Sequence, residues 1–146
     1  MTTHNAEDGT EEEKQDYKML VNPKLLDILK EKVEKVVIAD KRYKDRNFSV
    51  KKLAEELHTN TRYISATMRM RFNKNYTSFI NGLRVEDAKA ILSDKRFADL
   101  KMDEVGYMVG FANRQSFYTS FTRVTGKTPL HYRKEALADN RHEKEN

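Results

Sequence analysis

The chain contains no cysteine and no tryptophan, only two prolines and five glycines, and no long apolar run. Without cysteine there is no disulfide framework, no thiolate metal site and no cysteine nucleophile. The longest uninterrupted apolar stretches, residues 19–21 and 36–39, fall far short of a membrane span or of a signal-peptide core. So few prolines and glycines in 146 residues favour long helices over the turn-rich texture of an all-β chain. Catalytic signatures are missing as well. There is no HExxH and no glycine-rich phosphate loop, and His4, His58, His131 and His142 are scattered along the chain. No enzymatic activity, metal or cofactor is expected.

What the chain does have is charge, unevenly placed. Its formal net charge of +5 hides a larger contrast. Residues 1–20 hold six acids against two lysines, and residues 137–146 carry a further net −1, so residues 21–136 carry +10. Two windows supply +9 of it: residues 60–75 (Arg62, Arg69, Arg71, Lys74) and 113–134 (Arg114, Arg123, Lys127, Arg133, Lys134), neither containing an acid. The stretch between them, 76–112, is −1. Basic charge gathered in two places suits a polyanionic partner.

Hydrophobic spacing predicts an all-α chain. Residues 1–21 are polar, acidic and aperiodic, and read as a disordered lead-in. Asn22-Pro23 offers a cap and an N1 proline for a helix to about residue 40, with Leu25, Leu29, Val33, Val36 and Val37 inward. A polar connector, 41–47, follows. Ser49 caps a short helix striped by Val50, Leu53, Ala54 and Leu57. His58-Thr59-Asn60 breaks it, and a second helix from 61 to about 73 turns Ile64, Met68 and Phe72 inward and Arg62, Ser65, Ala66 and Arg69 outward. Two short helices around a tight turn, the second basic on its exposed side, read as a helix-turn-helix over 49–73. A longer helix spans 77–93, and the pattern then returns over 101–125. There Met102, Val105, Gly106 and Val109 form the first stripe, Gly110 stops it, and Asn113 caps a helix with Phe117 and Phe121 inward and Arg114, Gln115, Tyr118 and Thr119 outward. Thr128-Pro129 opens a last short helix to about 136, leaving 137–146 as a polar tail.

The return is an internal repeat. Val50, Leu53, Ala54 and Leu57 match Met102, Val105, Gly106 and Val109 at an offset of 52; Ile64 and Met68 match Phe117 and Phe121 at 53. The second turn is thus one residue longer. Ala54 and Gly106, both small, fall where the two helices of each motif must approach closely, and each basic window falls on the same half of its repeat.

These residues resemble the AraC/XylS family of bacterial transcription regulators. The resemblance is strongest over Asp103-Glu104-Val105-Gly106-Tyr107-Met108-Val109-Gly110-Phe111 and Asn113-Arg114-Gln115-Ser116-Phe117-Tyr118-Thr119-Ser120-Phe121, then Gly126-Lys127-Thr128-Pro129 and Tyr132-Arg133. It extends to Leu53-Ala54, Leu57, Arg62-Tyr63-Ile64-Ser65 and Phe79-Ile80-Asn81, covering residues 24–135. It implies about seven helices, with two homeodomain-like helix-turn-helix subdomains joined by one long linker helix, in a DNA-binding domain over 22–136. The sequence departs from the family where Ala66 and Thr119 replace basic residues and where His58 replaces the turn glycine.

A recognition helix presents side chains at i, i+3, i+4 and i+7 to base edges in the major groove. Arg62, Ser65, Ala66 and Arg69 have that spacing, and Arg114, Gln115, Tyr118 and Thr119 are their counterparts. Arginine forks onto guanine O6 and N7, and glutamine onto adenine N6 and N7. Helix starts at Asn60/Thr61, Asn113 and Thr128 suit phosphates, as do Lys74, Lys127 and Lys134. The expected partner is double-stranded promoter or operator DNA, read in two successive major-groove segments in the bacterial cytoplasm. RNA polymerase is the expected second partner, dimerisation would run through a domain outside this chain, and no membrane contact is expected. The alternatives are a helical protein-interaction module and a DNA-binding fragment of a larger sensor-regulator.

Overall fold

The computed structural model describes residues 22–145, with side chains to Asn140. The lead-in over 1–21 lies outside the described residues. Those residues form an all-α structure of seven helices: α1 Pro23–Val33, α2 Val50–Glu56, α3 Thr61–Thr67, α4 Tyr76–Leu92, α5 Met102–Val109, α6 Arg114–Thr125 and α7 Pro129–Glu145. Two of them widen at their C-terminal ends into π-type turns, α1 through Glu34–Ala39 and α3 through Met68–Phe72. The chain divides into two units. The first runs to Arg42 and takes in Phe48–Ile80; the second holds Tyr43–Asn47 and the residues from Asn81 onward. Helix α4 contributes to both.

In the first unit, Asn22 accepts a hydrogen bond from the Leu25 amide at 2.9 Å, and Pro23 occupies the first turn, where its missing N–H costs nothing. The buried stripe of α1 and its extension is Leu26, Leu29, Val33 and Val37. Leu25 and Val36, expected inward, are half-buried, so the stripe is rotated by one residue at its start. Ser49 caps α2 through the Lys52 amide at 3.2 Å, and Leu53, Ala54 and Leu57 go inward. The end of α3 is tied to α1 by Arg71, which bonds Asp27 at 2.8 Å and approaches the Pro23 carbonyl at 3.4 Å. Ala66 corrects the expectation most sharply. It is fully buried with Leu26, among Leu25, Tyr63 and Met70. Helix α1 covers the flank of α3 on which residue 66 sits, so that flank is core.

The second unit is built around Val85, Ala88 and Leu92 of α4, Val105 and Val109 of α5, Phe111, and Phe117 and Phe121 of α6. Tyr132 of α7 meets Phe121 edge-on at 5.4 Å. Helix α7 continues nine residues past the expected stop at 136, to Glu145. One cause is a tertiary tether: the Asn140 side chain donates to the Ser93 carbonyl at 2.9 Å. Residues 43–47, within the expected connector, are no loose segment in the second unit. Tyr43 is buried and donates to Asp87 at 3.2 Å, while Arg84 donates to the Tyr43 carbonyl at 2.7 Å and lies over the Phe111 ring at 5.7 Å.

The two turns are made alike. After α2, the His58 amide bonds the Glu55 carbonyl and the Thr59 amide reaches back to Ala54; after α5, Gly110 bonds Tyr107 and Phe111 reaches Gly106. This crossed pair is the Schellman arrangement, which needs a left-handed residue at its centre. His58 takes that role at φ 55° and Gly110 at φ 110°. A Cβ on Gly110 would fall on the Tyr43 carbonyl oxygen and lie 2.8 Å from Nε of Arg84. A Cβ on Gly106 would come within 2.9 Å of the Phe117 ring, itself wedged between Phe111 at 5.3 Å and Phe121 at 5.8 Å.

Two outcomes follow for stability. His58→Gly should raise stability by about 0.5–1 kcal/mol in urea unfolding, relief of the left-handed strain outweighing the entropy of glycine. Gly110→Ala should cost more than about 2 kcal/mol, since collision adds to strain. An unchanged midpoint for His58→Gly contradicts the account. The Tyr43 phenol is pushed up to about 12, first by burial and then by the Asp87 carboxylate. Its contribution is complete below about pH 10, the ordinary tyrosine value, and is lost as pH rises through about 12. Absorbance at alkaline pH should show one lagging tyrosine that Tyr43→Phe removes.

Candidate nucleic-acid interface

Each turn delivers a helix whose outer side is polar and whose sequence holds no acid. Asn60 and Asn113 start these helices: their side-chain oxygens accept the Tyr63 amide at 2.9 Å and the Ser116 amide at 2.8 Å. Thr128 does the same for α7, accepting the His131 amide at 3.2 Å. The three residues expected at phosphates are therefore caps through their side chains, worth about 1 kcal/mol each. Amides in the turn ahead of each capped N–H lack an intrahelical partner, which is the feature that attracts anions.

In the first helix-turn-helix, Thr61, Arg62 and Lys74 are exposed, and Ser65 and Arg69 are half-buried. Ala66 is absent from this surface for the reason given above. Arg69 is unusual among them: one terminal guanidinium nitrogen is shielded from solvent and has no hydrogen-bond partner. A buried, unpaired cationic donor is costly, and an anionic or strongly accepting group would relieve it.

In the second, Arg114, Gln115 and Thr119 are exposed. Tyr118 is half-buried and packs on the core, its ring edge-on to Phe117 at 5.9 Å. Arg114 lies over that ring, 4.9 Å from its centroid, and its guanidinium reaches the Tyr118 hydroxyl at 3.4 Å. Tyr118 thus serves as a platform for Arg114. Thr119 stays exposed although it matches Ala66 in the repeat.

Acids that sequence windows could not connect to this surface restrain two of its cations. Asp103 of α5 lies 3.7 Å from Arg114. Glu135 of α7 is in close ion-pair contact with Lys127 and bonds His131 at 2.9 Å. The contact holds the Lys127 ammonium above its usual range and the Glu135 carboxyl below its own, in each case chiefly through their shared hydrogen bond. Lys127 is therefore occupied. By contrast, Arg62, Lys74, Arg123 and Lys134 pair with no carboxylate among the described residues. The i,i+8 spacing of Lys127 and Glu135 crosses the Gly126-Lys127-Thr128 bend into α7, so helix-face counting does not find it. No helix of the described residues is long and apolar enough to cross a membrane. No group of histidines and acids among them could hold a metal.

Two capped, basic, acid-free helices, each joined by the same turn to a preceding short helix, define a double helix-turn-helix DNA-binding domain. The family model described as a helix-turn-helix domain matches residues 53–135, more than half of the chain, and the protein belongs to this AraC-type helix-turn-helix family of DNA-binding transcription regulators, which is not an enzymatic one. Among curated proteins it is similar to YobQ, an uncharacterised HTH-type transcriptional regulator of Bacillus subtilis (strain 168), at 33% identity over 91 residues, 62% of this chain and 36% of that protein. It is also similar to the melibiose operon regulatory protein of Escherichia coli (strain K12), at 24% over 90 residues, 62% of this chain and 29% of that one. The matched segment thus spans about a third of these relatives' length. Among solved structures, the C-terminal domain of the two-component response regulator yesN from Fusobacterium nucleatum has 28% identity and a TM-score of 0.64, covering 71% of this chain and 96% of that one. The C-terminal domain of AraT, a response regulator from Geobacillus stearothermophilus, shares the fold at TM-score 0.63 and 21% identity, covering 74% and 84%.

Proposed function

We propose that this chain is the sequence-reading part of a transcription regulator and that α3 and α6 enter successive major-groove segments of one operator. The observation that carries the reading is the duplicated turn, each copy followed by a capped helix with an acid-free basic face.

Within that reading, Arg62, Ser65, Arg114, Gln115 and Thr119 face base edges, Arg114 from its seat on Tyr118. Arg69 offers its unpaired nitrogen to a phosphate or a base acceptor. Lys74, Lys134 and the first-turn amides of α3, α6 and α7 hold the backbone, and Lys127 joins them by exchanging Glu135 for a phosphate. RNA polymerase contact, dimerisation and signal input would belong to the longer regulator of which such a domain forms part, acting at the bacterial nucleoid.

Salt dependence separates this from a protein-interaction module. Neutralising about 6–10 phosphates costs roughly 10³–10⁵ in affinity between 50 and 200 mM salt. A flat response rejects DNA as the partner. In site selection from random duplexes, Arg62→Ala and Gln115→Ala should each relax preference at one position, whereas Lys74→Ala should weaken all sequences alike. Unchanged preference with Arg62→Ala removes it as a base reader. Glu135→Gln releases Lys127 and should strengthen binding to every sequence, steepening the salt slope by about one. No change there, together with none in Lys127→Ala, excludes Lys127 from the backbone contacts.

A further inference from the structure

The ion pair between Asp103 and Arg114 differs from the other arginine pairs of the molecule. Arg42 meets Glu56 at 2.6 Å, Arg71 meets Asp27 at 2.8 Å and Arg96 meets Asp94 at 2.6 Å. Asp103 Oδ1 stands 3.7 Å from Nε of Arg114, about an ångström farther than in those pairs and beyond hydrogen-bond range. Yet that same oxygen is shielded from solvent and accepts no hydrogen bond. The carboxylate has given up water on one oxygen without gaining a donor, a state that favours any shift bringing the guanidinium closer. Both side chains otherwise remain open, 48% exposed for Asp103 and 64% for Arg114. Arg114 also rests on the Tyr118 ring and reaches its hydroxyl. The arginine is therefore held at an orientation but locked by no short bond.

We propose that Asp103 is a positioning residue that makes Arg114 a reader of guanine and not a phosphate clamp. This rests on the functional reading above. A guanidinium has five donors in a flat fork, so the Nε edge can close on a carboxylate while the terminal nitrogens bond guanine O6 and N7. The Asp103 charge has a second effect: it offsets the Arg114 charge in the field met by any phosphate, so the arginine adds little to binding of arbitrary sequence. Only when the fork finds its two acceptors does the closed carboxylate–guanidinium–guanine chain form. Discrimination then comes from weakening the wrong complexes as well as from the right one.

The test uses the full 146-residue chain with Asp103→Asn, Asp103→Glu, Arg114→Ala and the Asp103→Asn/Arg114→Ala double variant. Dissociation constants are measured at 50–200 mM salt on the selected operator, on its single-base variants and on random duplex. Asp103→Asn should bind random duplex about three- to tenfold more tightly, with a salt slope steeper by about one. It should lose about tenfold discrimination at one base pair, the same one that Arg114→Ala relaxes. Asp103→Glu should retain most of that discrimination, and the double variant should match Arg114→Ala alone.

Asp103 also sits in the first turn of α5, where an acid favours the helix end. A purely structural role would lower the unfolding midpoint and leave base preference untouched, and that result overturns the proposal. So does an Asp103→Asn effect of equal size in the Arg114→Ala background, which would mark general charge alone. A wild-type chain with no salt-dependent DNA binding overturns the functional reading beneath it; salt-dependent binding with an unmoved Asp103→Asn specificity profile overturns only this inference.

Discussion

Much of this molecule depends on how closely two short helices can cross. The crossing in the second unit is set by Gly106, where even a methyl group would press into the Phe117 ring, and by a turn that reverses the chain with two crossed backbone bonds. Those bonds satisfy carbonyls that the end of α5 would otherwise leave bare, and they require a left-handed residue between them. With the turn in place, Phe117 and Phe121 are committed to the core, and the polar side of α6 is committed to the surface. The first unit makes the same turn with His58 in the strained role and Ala54 at the crossing. The same backbone solution is thus reached at different cost, glycine supplying it freely and histidine against its own Cβ.

Around the exposed helices, charge is restrained more than the net surplus suggests. Asparagine caps occupy the side chains of Asn60 and Asn113, so that affinity for an anion there falls to backbone amides. Arg71 is drawn to Asp27, Arg114 is neighboured by Asp103, and Lys127 is held by Glu135. Among the described residues Arg62, Lys74, Arg123 and Lys134 of the two basic windows have no such partner. A surface of this kind attracts a polyanion while limiting how tightly it holds an arbitrary one, because exposed ion pairs are weak and exchange readily.

Particular residues mark where local pattern ends and packing takes over. Seven helices were legible because their apolar residues recur at helical spacing and their ends carry Asn22-Pro23, Ser49, Asn60, Asn113 and Gly110. The two motifs were legible because the pattern repeats. Ala66 was misplaced because helix-face geometry gives two candidate flanks to a small residue, and only the packing of α1 selects the buried one. Tyr43 was hidden in a polar stretch, since nothing in 41–47 announces that Asp87 and Arg84 will receive it. The extension of α7 escaped a reading of local polarity because one of its ties, Asn140 to Ser93, spans 47 residues.

The all-α class, the duplicated helix-turn-helix and the two windows of positive charge are written along the chain. Periodicity, capping residues and composition are local quantities, and each is complete within a few turns of chain. Packing settles which of the described cations lack a carboxylate partner, which small residue is buried, and that an aspartate on one helix stands beside the arginine of another. Those are distances between side chains far apart in sequence, set by how α5 crosses α6 and how α1 covers α3, and no spacing along the chain encodes them.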